Sequence, residues 1–531
     1  MAKAIIPLVT DKTQRDPYVR GTGEEGTDAV IRNGYVEKHG QRIYVTKRPA
    51  FNALASLTTG YTPKFSATFK GVSGFGGVTE NYPVAAFAYS GGASAGKLVL
   101  VDPSMTVTTK TLTASAHTIT TPYGLDFGDI PPTGATPALY VLGVNSGGGT
   151  YPIQYVNGPG SSMAEVTANA GGGALTFIDG GLVYMDGYLF ALAAPSGSQY
   201  DIAIYNSGLG TPQTWSAGDF ISAERSPDTS RYLVKSYDHI IVWGDSSIEF
   251  FYNAGNPTGS PLSRRQDIFY NYGTVTRPWK NNVSDTIYFI GSEFDSKRFL
   301  AKLDKFQVVK VENAALDKLL NSATISGSSS HSLSGFTFNN RTFLTISYPT
   351  QGNTAESNTL IYDVEANMVY TWDMAAFGTN PEIALCAYVT DASTGRHKTL
   401  VSLNSSTSPE LLWLDTQTYR DSNAIGGTSA ITFQVTTDKW RGNPGEEGNK
   451  KFISEATLVC DRGAVGETVA INWSDDDYQT FNTGLSIPLD LGRKHCHRLG
   501  KTYERAFRLT YTGNYPLRLE HLELEYDLGV S

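Results

Sequence analysis

Several short motifs carry residue types that could do chemistry, and each is judged by the element that would have to hold it. Gly21-Thr22-Gly23-Glu24-Glu25-Gly26 has the glycine spacing of a loop that cradles a pyrophosphate. No apolar strand precedes it, and Glu24 and Glu25 would meet the phosphates, so nucleotide binding is not expected. Gly92-Ala93-Ser94-Ala95-Gly96 has the letters of a turn that exposes a nucleophilic serine. Such a turn needs a helix after the serine, whereas Lys97-Leu98-Val99-Leu100-Val101-Asp102 reads as a strand, so a hairpin turn is expected. His495 and His497 would project from one face of a strand and Cys496 from the other, a geometry that cannot converge on zinc. Asp475, Asp476 and Asp477 offer oxygen ligands, but one short run seldom supplies the six that a hard cation takes. No carboxylate pair, nucleophile triad or metal cluster stands out. The expectation is a protein with no catalytic residues, no cofactor and no metal.

Two further motifs point elsewhere. Ser474 to Phe481 (SDDDYQTF) has the Ser-x-Asp pattern of an Asp-box turn, in which side chains satisfy the backbone of their own hairpin; it carries Tyr478 where such turns usually have Gly. The densest basic stretch, Arg493, Lys494, Arg498, Lys501, Arg505 and Arg508, could meet phosphate or an acidic partner. It is assigned here to a protein interface.

The elements that must position these residues follow from composition and periodicity. The chain has 531 residues, 40% hydrophobic and 18% charged, with 54 Gly and 24 Pro, which gives enough apolar surface for large cores divided by frequent turns. Aromatic usage of 11% suits pleated strands better than helical bundles. Net charge is −9, against a chain whose whole surface coats nucleic acid, and residues 111–224 hold eight Asp or Glu and no Lys or Arg. Three scattered cysteines make no disulfide framework, and the opening apolar run is short and broken by Pro7, so a soluble chain assembled in a reducing cytoplasm is expected. The most apolar stretch, Gly180 to Ala194, is interrupted by Asp186 and Gly187 and is too short for a membrane helix.

A repeat runs through the middle of the chain. An apolar residue followed by Asp or Asn, closing one extended segment and opening a turn, recurs at Asp102, Asn157, Asn206, Asn253, Asp304, Asp363 and Asp415, with gaps of 55, 49, 47, 51, 59 and 52. Four short strands per unit of that length make a propeller blade. The sequence therefore predicts an all-β chain with a β-propeller of about seven blades over residues 51–430. Residues 1–50 and 431–531 are predicted to form one smaller β-rich domain, because a propeller brings its two ends together. Leu316, Leu319 and Leu320 have helix spacing and predict a helical insertion between blades.

Three segments, taken in order, resemble one family, the packaged-DNA stabilisation proteins that form the tail hub or nozzle of short-tailed bacteriophages. They are NGYVEKHGQRIYVTKRPAF at 33–51, IIVWGDSSIEFFYNAGNPTGSPLSRRQDIFYNYG at 240–273, and INWSDDDYQTF followed by HRLGKTYERAFRLTY toward the end. Ala50 and Tyr478 depart from that pattern, each standing where Gly is usual. The resemblance implies a virion tail protein that forms a sixfold homo-oligomeric ring beneath the portal and its adaptor. Such a ring would retain packaged double-stranded DNA, conduct it at infection without specific binding, and dock fibres or spikes. The rival reading is a glycan-binding or sialidase-like propeller of a phage, supported by the Asp-box pattern; a third is a phage structural protein elsewhere in the virion.

Overall fold

The computed structural model describes residues 2–529 apart from 11–28, 58–59, 71–81, 130–136, 199–200, 224, 226–227, 282–283, 294–296, 323–331, 348–358, 378–380, 405–409 and 424–426. The glycine motif at residues 21–26 lies outside the described residues. Seven sheets built on a four-strand plan follow one another along the chain. Blade 1 runs from the strand Thr62–Lys70 to Val107–Thr111, blade 2 from Thr121–Gly128 to Ala164–Thr167, and blade 3 from Leu175–Met185 to Thr211–Ile221. Blade 4 runs from Ser230–Ser236 to Leu262–Tyr270, blade 5 from Gly273–Thr274 to Gln307–Lys310, and blade 6 from Ser332–Phe338 to Met368–Thr371. Blade 7 takes three strands, Glu382–Asp391, Arg396–Asn404 and Glu410–Asp415, from this end of the chain. Its fourth, Ala50–Ser56, comes from the other, paired antiparallel with Asp415 opposite Ala50. Backbone bonds between segments some 360 residues apart thus close the ring.

Six of the seven repeating Asp and Asn residues fall at or directly after the last residue of the third strand of their blade, and Asn206 lies two residues before the end of its strand, Ala203–Gly208. At Asp102, Asn253, Asp363 and Asp415 the reason is local. The Asp102 carboxylate accepts the N–H groups of Ser104 and Thr106 at 2.8 and 2.9 Å. Asn253, Asp363 and Asp415 do the same for Gly255, Ala366 and Gln417. A short acceptor side chain satisfies the turn to the fourth strand, which is what Asp and Asn do best.

Seven hydrophobic clusters hold the blades together, one at each blade-to-blade interface. The cluster of Leu98, Leu100, Leu139 and Val141 joins blades 1 and 2, and that of Ala85, Phe87, Val389 and Leu400 joins blade 1 to blade 7. Each blade therefore packs on its two neighbours, as expected of a repeat architecture. The helix Ala314–Ser322 lies between blades 5 and 6, where Leu316, Leu319 and Leu320 enter their shared core.

The chain ends build a β-sandwich. In one sheet the long strand Arg518–Leu528 takes Ala2–Pro7 and Arg42–Lys47 end to end on one side and Lys451–Cys460 on the other. The facing sheet contains Val30–Arg32, Phe433–Thr436, Ala506–Tyr511, Thr468–Ser474 and Leu485–Pro488. It continues without a break into blade 6, because Arg32 pairs in parallel with Thr371 of the blade's outer strand. One core, including Ile31, Val435, Leu458, Leu509, Leu524 and Trp372, runs through the sandwich and into blades 6 and 7. Among the described residues no helix is long and apolar enough to cross a membrane.

Candidate functional site

The innermost strands of all seven blades surround an axial cavity of about 530 Å³. Its most polar element comes from blade 5, whose inner strand is split into Gly273–Thr274 and Trp279–Lys280. Pro278, which has no N–H to give to a sheet, ends the gap, and Arg277 projects from it. The Arg277 guanidinium crosses the cavity: Nη1 donates to the Lys64 carbonyl of blade 1 at 2.6 Å, and Nη2 to the Asp179 carboxylate of blade 3 at 2.7 Å. The guanidinium carbon also sits 3.7 Å from the centre of the Phe65 ring, and Lys64 Nζ lies 3.6 Å from Asp179. Gly273 permits the close approach of blade 5 to blade 4, since a Cβ there would stand 1.6 Å from the Asp245 carbonyl oxygen.

Asp126, on the inner strand of blade 2, lines this cavity with a pKa raised into the range of a general acid. Burial pushes it up to about 6, against the pull of backbone N–H bonds from Tyr184 and Phe127 and of the Lys235 and Lys280 charges. Those bonds, at 2.7 and 2.9 Å, occupy both carboxylate oxygens and tie blade 2 to blade 3. The group is spent on holding two blades together. Sequence reasoning passed over Arg277, Asp179 and Asp126; only the Arg277-Pro278 pair, an interruption at the start of a blade, marked one of them.

The 33–51 segment forms the joint between propeller and sandwich. Arg48 is buried, and all five of its N–H donors are used: Asn33 Oδ1, the carbonyls of Pro49 and Asp373, and both oxygens of Asp421 at 2.9 and 2.7 Å. Asn33 adds a bond to the Thr432 carbonyl and receives the Asp373 N–H. Lys47 donates to the Gly513 carbonyl, and burial pushes its pKa down to about 7. These residues are structural, fixing where the chain leaves the sandwich to enter blade 7. The 240–273 segment is most of blade 4 and the first turn of blade 5.

The Asp-box pattern forms, but in the sandwich. Ser474 Oγ meets Asp476 at 2.7 Å and accepts the Tyr478 N–H at 3.0 Å, while Asp476 accepts the Thr480 N–H at 2.9 Å. Tyr478 takes the position where Gly is usual with φ 65°, and its hydroxyl is anchored on the Thr437 carbonyl at 3.1 Å. Gly92 and Ala93 make the turn between strands Pro83–Gly91 and Ser94–Val101, and Ser94 to Gly96 open the second strand, with no helix after the serine.

The basic run divides. Arg505 is 1% exposed, bidentate to Asp475 at 2.7 and 2.6 Å, and Lys494 is buried with its Nζ on the Cys460 carbonyl. Arg508 stacks over Phe481 at 3.5 Å. Lys494 and Arg505 are thus withdrawn from the six-residue interface read from sequence, because carboxylate and carbonyl partners inside the sandwich hold them. Arg493, Arg498 and Lys501 stay exposed, with Arg493 paired to Glu455 at 2.6 Å. His495 and His497 share a face with rings 4.9 Å apart, and Cys496 is buried behind them. Among the described residues no three His, Cys, Asp or Glu side chains are grouped to hold a metal ion.

Comparison with known proteins bears on this geometry. Residues 139–384 match the phage-stabilisation family described as bacteriophage P22 Gp10, beta-propeller. The match runs from blade 2 to the first strand of blade 7. It bears out the resemblance to packaged-DNA stabilisation proteins and supports a structural protein of the phage tail and DNA-stabilisation kind. Comparison with curated proteins found no match. Among solved structures, a puromycin hydrolase is 11% identical, covering 67% of this chain and 57% of that one with a TM-score of 0.40. A GH74 xyloglucanase from Xanthomonas campestris is 10% identical, covering 80% and 59% with a TM-score of 0.39. An exo-beta-1,3-galactanase from Phanerochaete chrysosporium is 9% identical, covering 82% and 99% with a TM-score of 0.27.

Proposed function

We propose that this chain is the repeating subunit of a tail hub or nozzle ring. In this reading it sits beneath the portal and adaptor of a short-tailed phage, retains the packaged genome, conducts it at infection and carries fibres or spikes. The Gp10 family match over residues 139–384 is the observation that carries the reading. The axial cavity is compatible with it: Arg277 of blade 5 is tied across the cavity to Lys64 of blade 1 and Asp179 of blade 3, which leaves the propeller's own axis obstructed. DNA would therefore pass between subunits rather than through any one propeller. A ring needs heterologous contacts between different faces of each subunit. The sandwich, continuous with blade 6, offers a second body for them, with Arg493, Arg498 and Lys501 on its surface. The protein acts by shape and contact, without catalysis or cofactor. The glycan-enzyme reading loses its main support, since the Asp-box turn belongs to the sandwich and the Asp126 carboxyl is committed to backbone bonds.

The test is genetic. Phage grown without this chain should fill their heads and then lose the DNA, and supplying the protein should restore retention. Heads that keep their DNA without it would refute the proposal.

A further inference from the structure

Residues 111–224 comprise the hairpin Thr113–Ala114/His117–Thr118, blade 2 and blade 3. Scaled from 42 basic and 51 acidic residues in 531, a stretch of this length would hold about nine Lys or Arg and about eleven Asp or Glu; it holds none and eight. The anomaly is the absence of cations, since anions are not in excess. A face built to dock a basic protein would be enriched in carboxylates. A face built to dock an apolar one would expose large hydrophobics, and among the described residues only Leu209 and Phe220 stand among the large exposed ones here. What it exposes instead is small and hydroxylic or amidic, with Ser161, Ser162, Gln213, Thr214 and Ser216 at the surface. Asp186 and Asp201 add scattered negative charge. The sector is continuous, because Trp215 of blade 3's outer strand packs in the same core as Tyr151 and Tyr155 of blade 2, and His117 of the hairpin pairs with Glu165 of blade 2 at 3.0 Å.

A surface that keeps its solubility while excluding every Lys and Arg is what a moving polyanion requires. Each phosphate neutralised by a cation releases counterions and adds affinity, and a wall that cannot make that exchange cannot hold the duplex. Resting on the nozzle reading above, we infer that the cation-free sector of blades 2 and 3 is the surface each subunit turns toward the DNA path. The cation-bearing blades 4 and 5 then face away from it or toward a neighbouring subunit.

A benzophenone photocrosslinker placed at Gln213, on the exposed edge of blade 3, tests the orientation in DNA-filled virions, with the same group at Gln307 of blade 5 as the control. Capture of packaged DNA from position 213 and not from 307 is expected. Capture of protein alone from 213, in virions that contain the chain, would overturn the orientation and leave the nozzle reading standing. Absence of the chain from purified virions would overturn both. A second variant avoids any crosslinker artefact: Gln213→Lys with Thr214→Lys should slow DNA ejection, with the slowing relieved by added salt at a slope near 0.9 per phosphate contacted. Gln307→Lys with Val309→Lys should leave ejection unchanged. Equal effects of the two pairs would overturn the inference.

Discussion

Blades 2 and 3 are built on the same four-strand plan as blades 4 and 5 and both pairs share an apolar core, but blades 4 and 5 add Lys and Arg ion pairs within each blade. Residues 225–310 hold twelve Lys or Arg and nine Asp or Glu, against none and eight in residues 111–224. In blade 4, buried Glu249 meets Arg264 at 2.7 Å and accepts the Arg225 N–H at 3.0 Å, and Arg231 and Arg265 each clasp an aspartate. In blade 5, Lys280 pairs with Asp285 and Lys310 with Glu293. The cation-free sector manages with aromatic packing, Trp215 edge-on to Phe177 at 5.4 Å and Phe177 beside Tyr151, and with backbone bonds to Asp126. A blade therefore does not need cations to fold. Their absence over two whole blades is the feature that the proposed orientation toward DNA would account for.

The comparison can be broken from either side. Glu249→Ala removes the carboxylate facing Arg264, which keeps its bond to the Ser222 carbonyl, and should cost about 3 kcal/mol, while Trp215→Ala opens a cavity in the aromatic core of the other sector at about 3–5 kcal/mol. Denaturant unfolding of the full chain measures both. A loss below about 1 kcal/mol for Glu249→Ala would mean that the blade 4 charges do not hold it together.

A smaller effect sharpens the contrast through pH. Folded Asp126 binds its proton up to about pH 6, whereas an unfolded aspartate releases it near pH 4. The folded state holds the extra proton in that window, so this group's contribution to stability falls as pH rises from 4 to 6. The stability difference between the native chain and Asp126→Ala should shrink over that range by on the order of 1–2 kcal/mol. A constant difference would show that the carboxyl titrates normally. Smallest of all, Arg231→Ala removes a clasp that is half exposed and should cost less than about 1 kcal/mol.

What the sequence revealed follows the range of each interaction. Asp102, Asn253, Asp363 and Asp415 were legible because an acceptor side chain and the turn it satisfies lie within a few residues, as Asp102 and Thr106 do. The helix at Ala314–Ser322 was legible from three leucines on one face. The composite sandwich was anticipated from propeller topology and from strand-like segments at both ends. The closing strand could not be read, because the pairing of Ala50 with Asp415 leaves no local pattern. Arg277 was invisible as a cross-channel tie, since its partners Lys64 and Asp179 are set by the ring. The basic run misled for the same reason: Arg505 finds Asp475 thirty residues away, and Lys494 finds a carbonyl on the neighbouring strand.

The most direct test of the account is a reconstruction of the DNA-exit vertex of the phage that encodes this chain. The account expects a closed ring of propeller-and-sandwich subunits below the portal, with the duplex passing between them and blades 2 and 3 toward it. A vertex without this chain, or DNA threaded through the propeller's own axis past Arg277, would contradict it.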